Sequence, residues 1–138
     1  MRVLIADDIP AVRSAIRILL KEEKDVQIVG EAANLGELFT LTRLSLPDLI
    51  LMDWELSGFP GSAKISHHPT SVLSSSEKKR NIIIASLRKC PSQPLIIVLS
   101  SYPEAEAISL SAGASAFIFK GDPPEKLIHT IRTLSTLT

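Results

Sequence analysis

The chain has 138 residues, 45% of them hydrophobic, and its 15 Lys and Arg balance 15 Asp and Glu to a formal net charge of zero. That length suits one domain with a real core, and an even charge without a basic block removes the usual footprint of direct nucleic-acid or anionic-membrane binding. A single cysteine, Cys90, excludes an internal disulfide framework, Asp7-Asp8 comes too early for a secretory leader, and no apolar run nears membrane-spanning length, so a cytoplasmic protein is expected, with Cys90 packing near a helix end.

Val3 to Ala6 is a short apolar run that stops at Asp7-Asp8, and Pro10 follows, a residue suited to the first turn of a helix. Val12, Ala15, Ile16, Leu19 and Leu20 then recur at helical spacing. Val26 to Ala32 reads as a second strand. Asn34 with Glu37 three residues on forms a capping-box signature that opens a helix to about Leu44. After Pro47 comes Leu49-Ile50-Leu51-Met52-Asp53. Four consecutive apolar residues cannot all face one side of a strand, so this one is expected to be buried on both faces, as in a parallel sheet covered by helices. Asp53 closes it, at the end of an open α/β sheet where ligands bind, although an Asp there also serves as a plain turn residue.

Residues 57–76 contain Gly58, Pro60, Gly61, His67, His68, Pro69 and a run of serines with little periodicity, which predicts a long inserted loop. Ser74 and Glu77 offer a second capping box, and Ile83, Ile84, Leu87 and Cys90 an apolar helix face that Pro91 to Pro94 ends. Leu95 to Leu99 is another apolar run, closed by Ser100-Ser101. Pro103 and Glu104 start a short helix that Gly113 terminates. Ala116 to Phe119 is the last strand, closed by Lys120. Asp122-Pro123-Pro124-Glu125 then predicts an N-cap at Asp122 for a helix lined by Leu127, Ile128, Ile131 and Leu134. Five strands alternating with five helices predict a doubly wound parallel α/β sheet in one domain, residues 1–138.

A parallel sheet gathers its strand ends at one edge, here Asp7-Asp8, Asp53, Ser100 and Lys120. Three clustered carboxylates repel one another unless a cation joins them, and an oxygen-rich site with room for waters and a phosphate suits Mg²⁺. Ser100 offers a hydroxyl and Lys120 a fixed positive charge. Phosphoryl transfer needs little beyond a nucleophile, in-line access and positive charge. Asp53 is the best nucleophile, because the central strand holds it, and Asp7 and Asp8 are better placed as metal ligands. His67-His68 lack a third ligand at useful spacing and read as solvated loop histidines.

The set Asp7-Asp8, Asp53, Ser100 and Lys120, in this order on this alternation, resembles the receiver domain of response regulators across essentially the whole chain. Leu99-Ser100-Ser101, the run Ala112 to Lys120 and Pro123-Pro124-Glu125 look most like receivers of the NarL/LuxR type, which precede helix-turn-helix DNA-binding domains. The resemblance implies a CheY-like, flavodoxin-like sheet of order 2-1-3-4-5. It also implies that Asp53 takes phosphate from a sensor histidine kinase, with Mg²⁺ held by Asp8, Asp53 and the Glu55 backbone carbonyl and by Asp7 through water, and no other cofactor. Ser100 and Phe117 match the positions that shift together on phosphorylation and reshape the face of the fourth helix, fifth strand and fifth helix, a face through which a homodimer is possible. Glu55 and Tyr102 match positions that tune phosphate loss. The implied protein is a transcription-regulating switch that catalyses only its own phosphorylation and dephosphorylation, with any output domain outside this chain.

The spacing departs from the family pattern. There are 45 positions from Asp8 to Asp53, 47 from Asp53 to Ser100 and 20 from Ser100 to Lys120; the middle interval is longer than usual by roughly fifteen residues, the size of one extra loop. Gly121 stands where many receivers have proline. Other readings are a receiver-like interaction module that is never phosphorylated, expected to have lost one of these positions; a haloacid-dehalogenase-type hydrolase, disfavoured by Asp7-Asp8-Ile9 in place of Asp-x-Asp; and a flavodoxin-like carrier, which lacks its phosphate cradle here.

Overall fold

The apolar runs form strands and the periodic segments between them cover both faces. The computed structural model describes residues 1–59 and 75–136. Strands β1 (Arg2–Ala6), β2 (Gln27–Ala32), β3 (Leu49–Asp53), β4 (Leu95–Ser100) and β5 (Ala116–Phe119) pair in parallel in the order β2-β1-β3-β4-β5. This is the flavodoxin-like order. Helices α1 (Pro10–Leu20), α2 (Leu35–Ser45), α3 (Ser75–Arg88), α4 (Ala105–Ala112) and α5 (Pro124–Ser135) alternate with them.

Strand alternation splits the core in two. Leu4 and Ala6, Ile50 and Met52, Ile96 and Val98 pack with Leu38 of α2, Ile84 and Leu87 of α3, and Ala105 and Ala112 of α4. Val3 and Ile5, Leu49 and Leu51, Ile97 and Leu99 face the other way, onto Ile16 and Leu20 of α1 and Leu127, Ile131 and Leu134 of α5. β3 is therefore buried along its whole length, as its unbroken apolar sequence requires.

Local signals set most element ends. Asn34 Oδ1 accepts the Glu37 N–H at 2.9 Å and Glu37 Oε1 accepts the Ala33 N–H at 2.8 Å, so the capping box closes one residue further out than the usual pattern. Gly113 ends α4 in the left-handed region at φ 113°. α2 ends on Leu46 at φ 48°, an unusual conformation for a branched residue, and Pro47 stops the helix from continuing.

Three expectations need correction. Asp122 does not cap α5: the cap position is Pro123, without a side-chain bond, and the Asp122 carboxylate instead pairs with Lys126 Nζ at 3.0 Å. Cys90 packs near the end of α3 as expected, but two residues past it rather than on its apolar face, half-buried, its Sγ donating to the Ser86 carbonyl at 3.6 Å. The inserted loop ends earlier than 76, since α3 already begins at Ser75; at its other end Ser57 to Phe59 are turn, with Phe59 buried, and its centre, with His67, His68 and the Ser74 cap, lies outside the described residues.

Candidate functional site

The register of the sheet builds the site. Ala6 pairs with Met52, which sets Asp7 at the level of Asp53; Asp53 pairs with Leu99, and Ser100 with Phe119, so Lys120 follows one strand further out. By alternation Asp7, Asp53 and Lys120 continue the rows Val3-Ile5, Leu49-Leu51 and Ile118, toward the α1 and α5 side. Lys120 Nζ lies 3.1 Å from Asp7 Oδ2 and 3.3 Å from Asp53 Oδ1. Both carboxylates are 2% exposed, whereas Asp8 faces solvent. Carboxylate oxygens of Asp7, Asp8 and Asp53 lie within 4.8 Å of one another. Burial, above all, pushes the Asp53 carboxyl up from 3.8 to about 7; Lys120 pulls it down, and Asp7 pushes it up. Burial alone would lower Lys120, but Asp53 and Asp7 outweigh it and hold the ammonium above its ordinary value. Three carboxylates against one ammonium leave negative charge in surplus, and an all-oxygen donor set of this kind fits a hard divalent cation.

Backbone contacts fix the loops. Asp7 Oδ1 accepts the Ile9 N–H at 2.9 Å, and Asp53 Oδ1 accepts the Glu55 N–H at 3.1 Å, the self-closing turn that an Asp makes two residues on. The Trp54 N–H donates to the Leu99 carbonyl and the Lys120 N–H to the Ser100 carbonyl, each at 2.8 Å, so the strand ends are stitched beyond the sheet itself. Ser100 continues the row of Ile96 and Val98 and is fully buried. Its Oγ donates to Glu55 Oε1 at 2.7 Å and accepts the Tyr102 N–H at 3.0 Å. Phe117, on the same side of the sheet, is half-buried against the core that holds α4.

The family model for the response regulator receiver domain matches residues 3–79, more than half of the chain. The chain belongs to that family. The receiver is 33% identical over 132 residues to the transcriptional regulatory protein YhcZ of Bacillus subtilis, covering 94% of this chain and 53% of that protein. It is 26% identical over 129 residues to the nitrate/nitrite response regulator NarL of Escherichia coli, covering 94% and 52%. Among solved structures it is similar to a LuxR-family two-component response regulator from Aurantimonas sp. SI85-9A1, at 26% identity and a TM-score of 0.71, covering 96% of this chain and 83% of that one. The isolated receiver domain of RcsB from Salmonella enterica shares the fold, with a TM-score of 0.72 at 21% identity and 99% and 88% coverage. The receiver spans about half the length of the curated relatives it matches.

The receiver brings Asp7, Asp8, Asp53 and Lys120 together, with Ser100 and Glu55 beside them and Phe117 further back. Several contacts escaped the sequence. Arg13 donates to the Asp7 carbonyl at 2.6 Å and lies 3.5 Å from Glu31, bracing the acidic loop against β2; its place on α1, one turn past Pro10, was the only clue. Trp54 is buried edge-on against Phe59, ring centroids 5.1 Å apart. The guanidinium of Arg80, itself 4% exposed, lies 4.9 Å from the Trp54 ring centroid, the separation of a cation–π pair. Glu55 adds a side-chain bond to Ser100 that the sequence did not announce.

Proposed function

We propose that this receiver is the phosphoacceptor of a two-component system, taking a phosphoryl group from a phosphohistidine of a sensor kinase onto Asp53. The observation that carries the reading is the buried Asp53 carboxylate with Lys120 Nζ 3.3 Å away and two more carboxylates beside it. An Asp53 oxygen bonds to phosphorus as the phosphorus–nitrogen bond breaks, and the electron pair leaves with the imidazole. The central strand holds the nucleophile still, which is most of what this reaction asks of a protein. Lys120 faces the charge that develops on the phosphoryl oxygens. Asp8, Asp53 and the Glu55 backbone carbonyl would hold Mg²⁺, with Asp7 acting through water. When bound, that ion supplies the second positive charge the phosphoryl oxygens need.

The receiver acts as a switch that modifies only itself, and its output is a changed surface at α4, β5 and α5, with Ser100 and Phe117 carrying the change. The printed name of the Bacillus subtilis relative supports a role in transcription regulation, and the relatives' greater length leaves room for an output domain; the proposal places this switch in the cytoplasm, gives it a DNA-binding output and assigns any dimer to that same face. Intact-protein mass after incubation with acetyl phosphate and Mg²⁺ tests the core of this. The expected result is one phosphate adduct on the wild type, and none on Asp53→Ala or without metal. Full uptake by Asp53→Ala would move the nucleophile elsewhere; no adduct on a folded wild type would favour an interaction module that is never phosphorylated.

A further inference from the structure

Asp7 is held by every polar group it has. Its N–H donates to the Ala32 carbonyl at 3.0 Å, its Oδ1 accepts the Ile9 N–H, its Oδ2 accepts from Lys120, and its carbonyl accepts from Arg13 Nη1 at 2.6 Å. That carbonyl belongs to the peptide link that carries Asp8, whose side chain faces solvent. Asp8 therefore takes its direction from the backbone, and Arg13 holds the plane of that backbone from outside the cluster. Arg13 is itself anchored. Its Nε lies 3.5 Å from Glu31 Oε1, and Arg17, one turn on along α1, closes on the same carboxylate with bonds of 2.8 and 3.1 Å. Glu31 stands on β2 opposite Ile5 of β1, and the Arg17 hydrogen bond, above all, holds its carboxyl below the ordinary value, so the anchor stays charged. A planar guanidinium can face a carbonyl and a carboxylate at once, which a lysine ammonium does poorly. Two guanidiniums also share one carboxylate, which leaves positive charge in surplus beside the acidic loop. By charge alone that surplus opposes a cation at Asp7, Asp8 and Asp53.

We infer that Arg13, anchored by Glu31, is a positioning residue for the divalent cation: it holds the Asp7–Asp8 peptide so that the exposed Asp8 carboxylate meets the site, and thereby sets the affinity for the ion. This role rests on the metal part of the phosphoacceptor reading. It gives a cation a helpful part in binding another cation, and the two contributions of Arg13 have opposite signs. If charge dominates, removing Arg13 tightens Mg²⁺. If the peptide brace dominates, removing it loosens Mg²⁺, as the loss of an outer support of a ligand does.

The test is calorimetric titration of the phosphate-free chain with Mg²⁺, on wild type, Arg13→Ala, Arg13→Lys and Arg17→Ala, with thermal unfolding to confirm that each is folded. Arg13→Ala is expected to weaken Mg²⁺ roughly tenfold, at the low end of what losing an outer support costs. Arg13→Lys keeps the charge and loses the fork, and should weaken binding by more than about threefold. Arg17→Ala, which touches Glu31 and not the acidic loop, should stay within about twofold, as an exposed ion pair does. Adduct formation with acetyl phosphate then separates affinity from chemistry: at saturating Mg²⁺ the rate of Arg13→Ala should return to within about twofold of wild type, because only the ion's affinity was lost. Tighter or unchanged Mg²⁺ in Arg13→Ala would overturn the inference, and so would Arg13→Lys matching wild type, or a wild type that takes up no Mg²⁺. If the titrations come out as expected but wild type forms no adduct, the positioning role stands and the phosphoacceptor reading falls.

Discussion

Strands β3 and β5 both end at the site, and they are held very differently. Every residue of β3, Leu49 to Asp53, is buried, whereas in β5 only Ile118 is. β3 has strand neighbours on both sides; β5 has β4 alone. Asp53 thus stands on a strand buried along its whole length, and its counter-charge, Lys120, at the end of a more exposed edge strand. On the proposed phosphoacceptor reading, the difference bears on where a phosphoryl group can act: displacing β3 would open both core layers, whereas β5, with Phe117 and Lys120 at its end, has one strand neighbour and more exposure.

The largest effect should come from weakening the fixed strand. Leu51→Ala removes a side chain with no exposure from the centre of the α1 and α5 layer, and the expected cost is about 2–5 kcal/mol by chemical denaturation. The next concerns the charge on that strand. Folding raises the Asp53 carboxyl from 3.8 to about 7, so the folded chain binds this proton more tightly than the unfolded one. Its contribution is therefore fully present below about pH 4 and is lost as pH rises toward 7. Metal-free urea midpoints should fall across that window in the wild type and stay flatter in Asp53→Asn. A wild-type midpoint that rises there would show that Lys120, not burial, dominates the site.

The edge strand should be the more forgiving. Phe117→Leu trims a half-buried ring, and the expected cost is only about 1 kcal/mol in the same measurement. A cost equal to that of Leu51→Ala would erase the contrast between the strands. Arg132 pairs with Glu23 at 2.7 Å on the surface, away from both strand ends, and its side chain is 68% exposed. Arg132→Ala should cost less than about 1 kcal/mol and respond to salt, giving the baseline for the other two.

Signals carried by neighbouring residues were legible in the sequence. The abrupt change from apolar to charged at Ala6-Asp7, Met52-Asp53 and Phe119-Lys120 marks strand ends, because a buried strand can accept polar groups only where it leaves the sheet. Asn34 and Glu37 cap α2 by a bond three residues long, and that spacing shows in any sequence. What stayed hidden depends on groups far apart in the chain. The Glu55–Ser100 bond follows from the register of β3 on β4, and the Arg80–Trp54 stack from where α3 lies over the sheet. Leu46 was hidden for another reason: nothing about a leucine announces a left-handed backbone. Asp122 was misread because the cap motif and an i,i+4 pair with Lys126 use the same residue types, and the structure has the pair.

Trp54 is the only tryptophan in the chain, and it is joined directly to Asp53. Buried between Phe59 and the Arg80 guanidinium, its indole sits in a fixed local field. A dianionic group added one residue away changes that field, and an excited indole responds in the colour and yield of its emission. On the proposed reading, emission of this one indole is expected to report phosphoryl uptake in a stopped-flow cell without label or radioisotope.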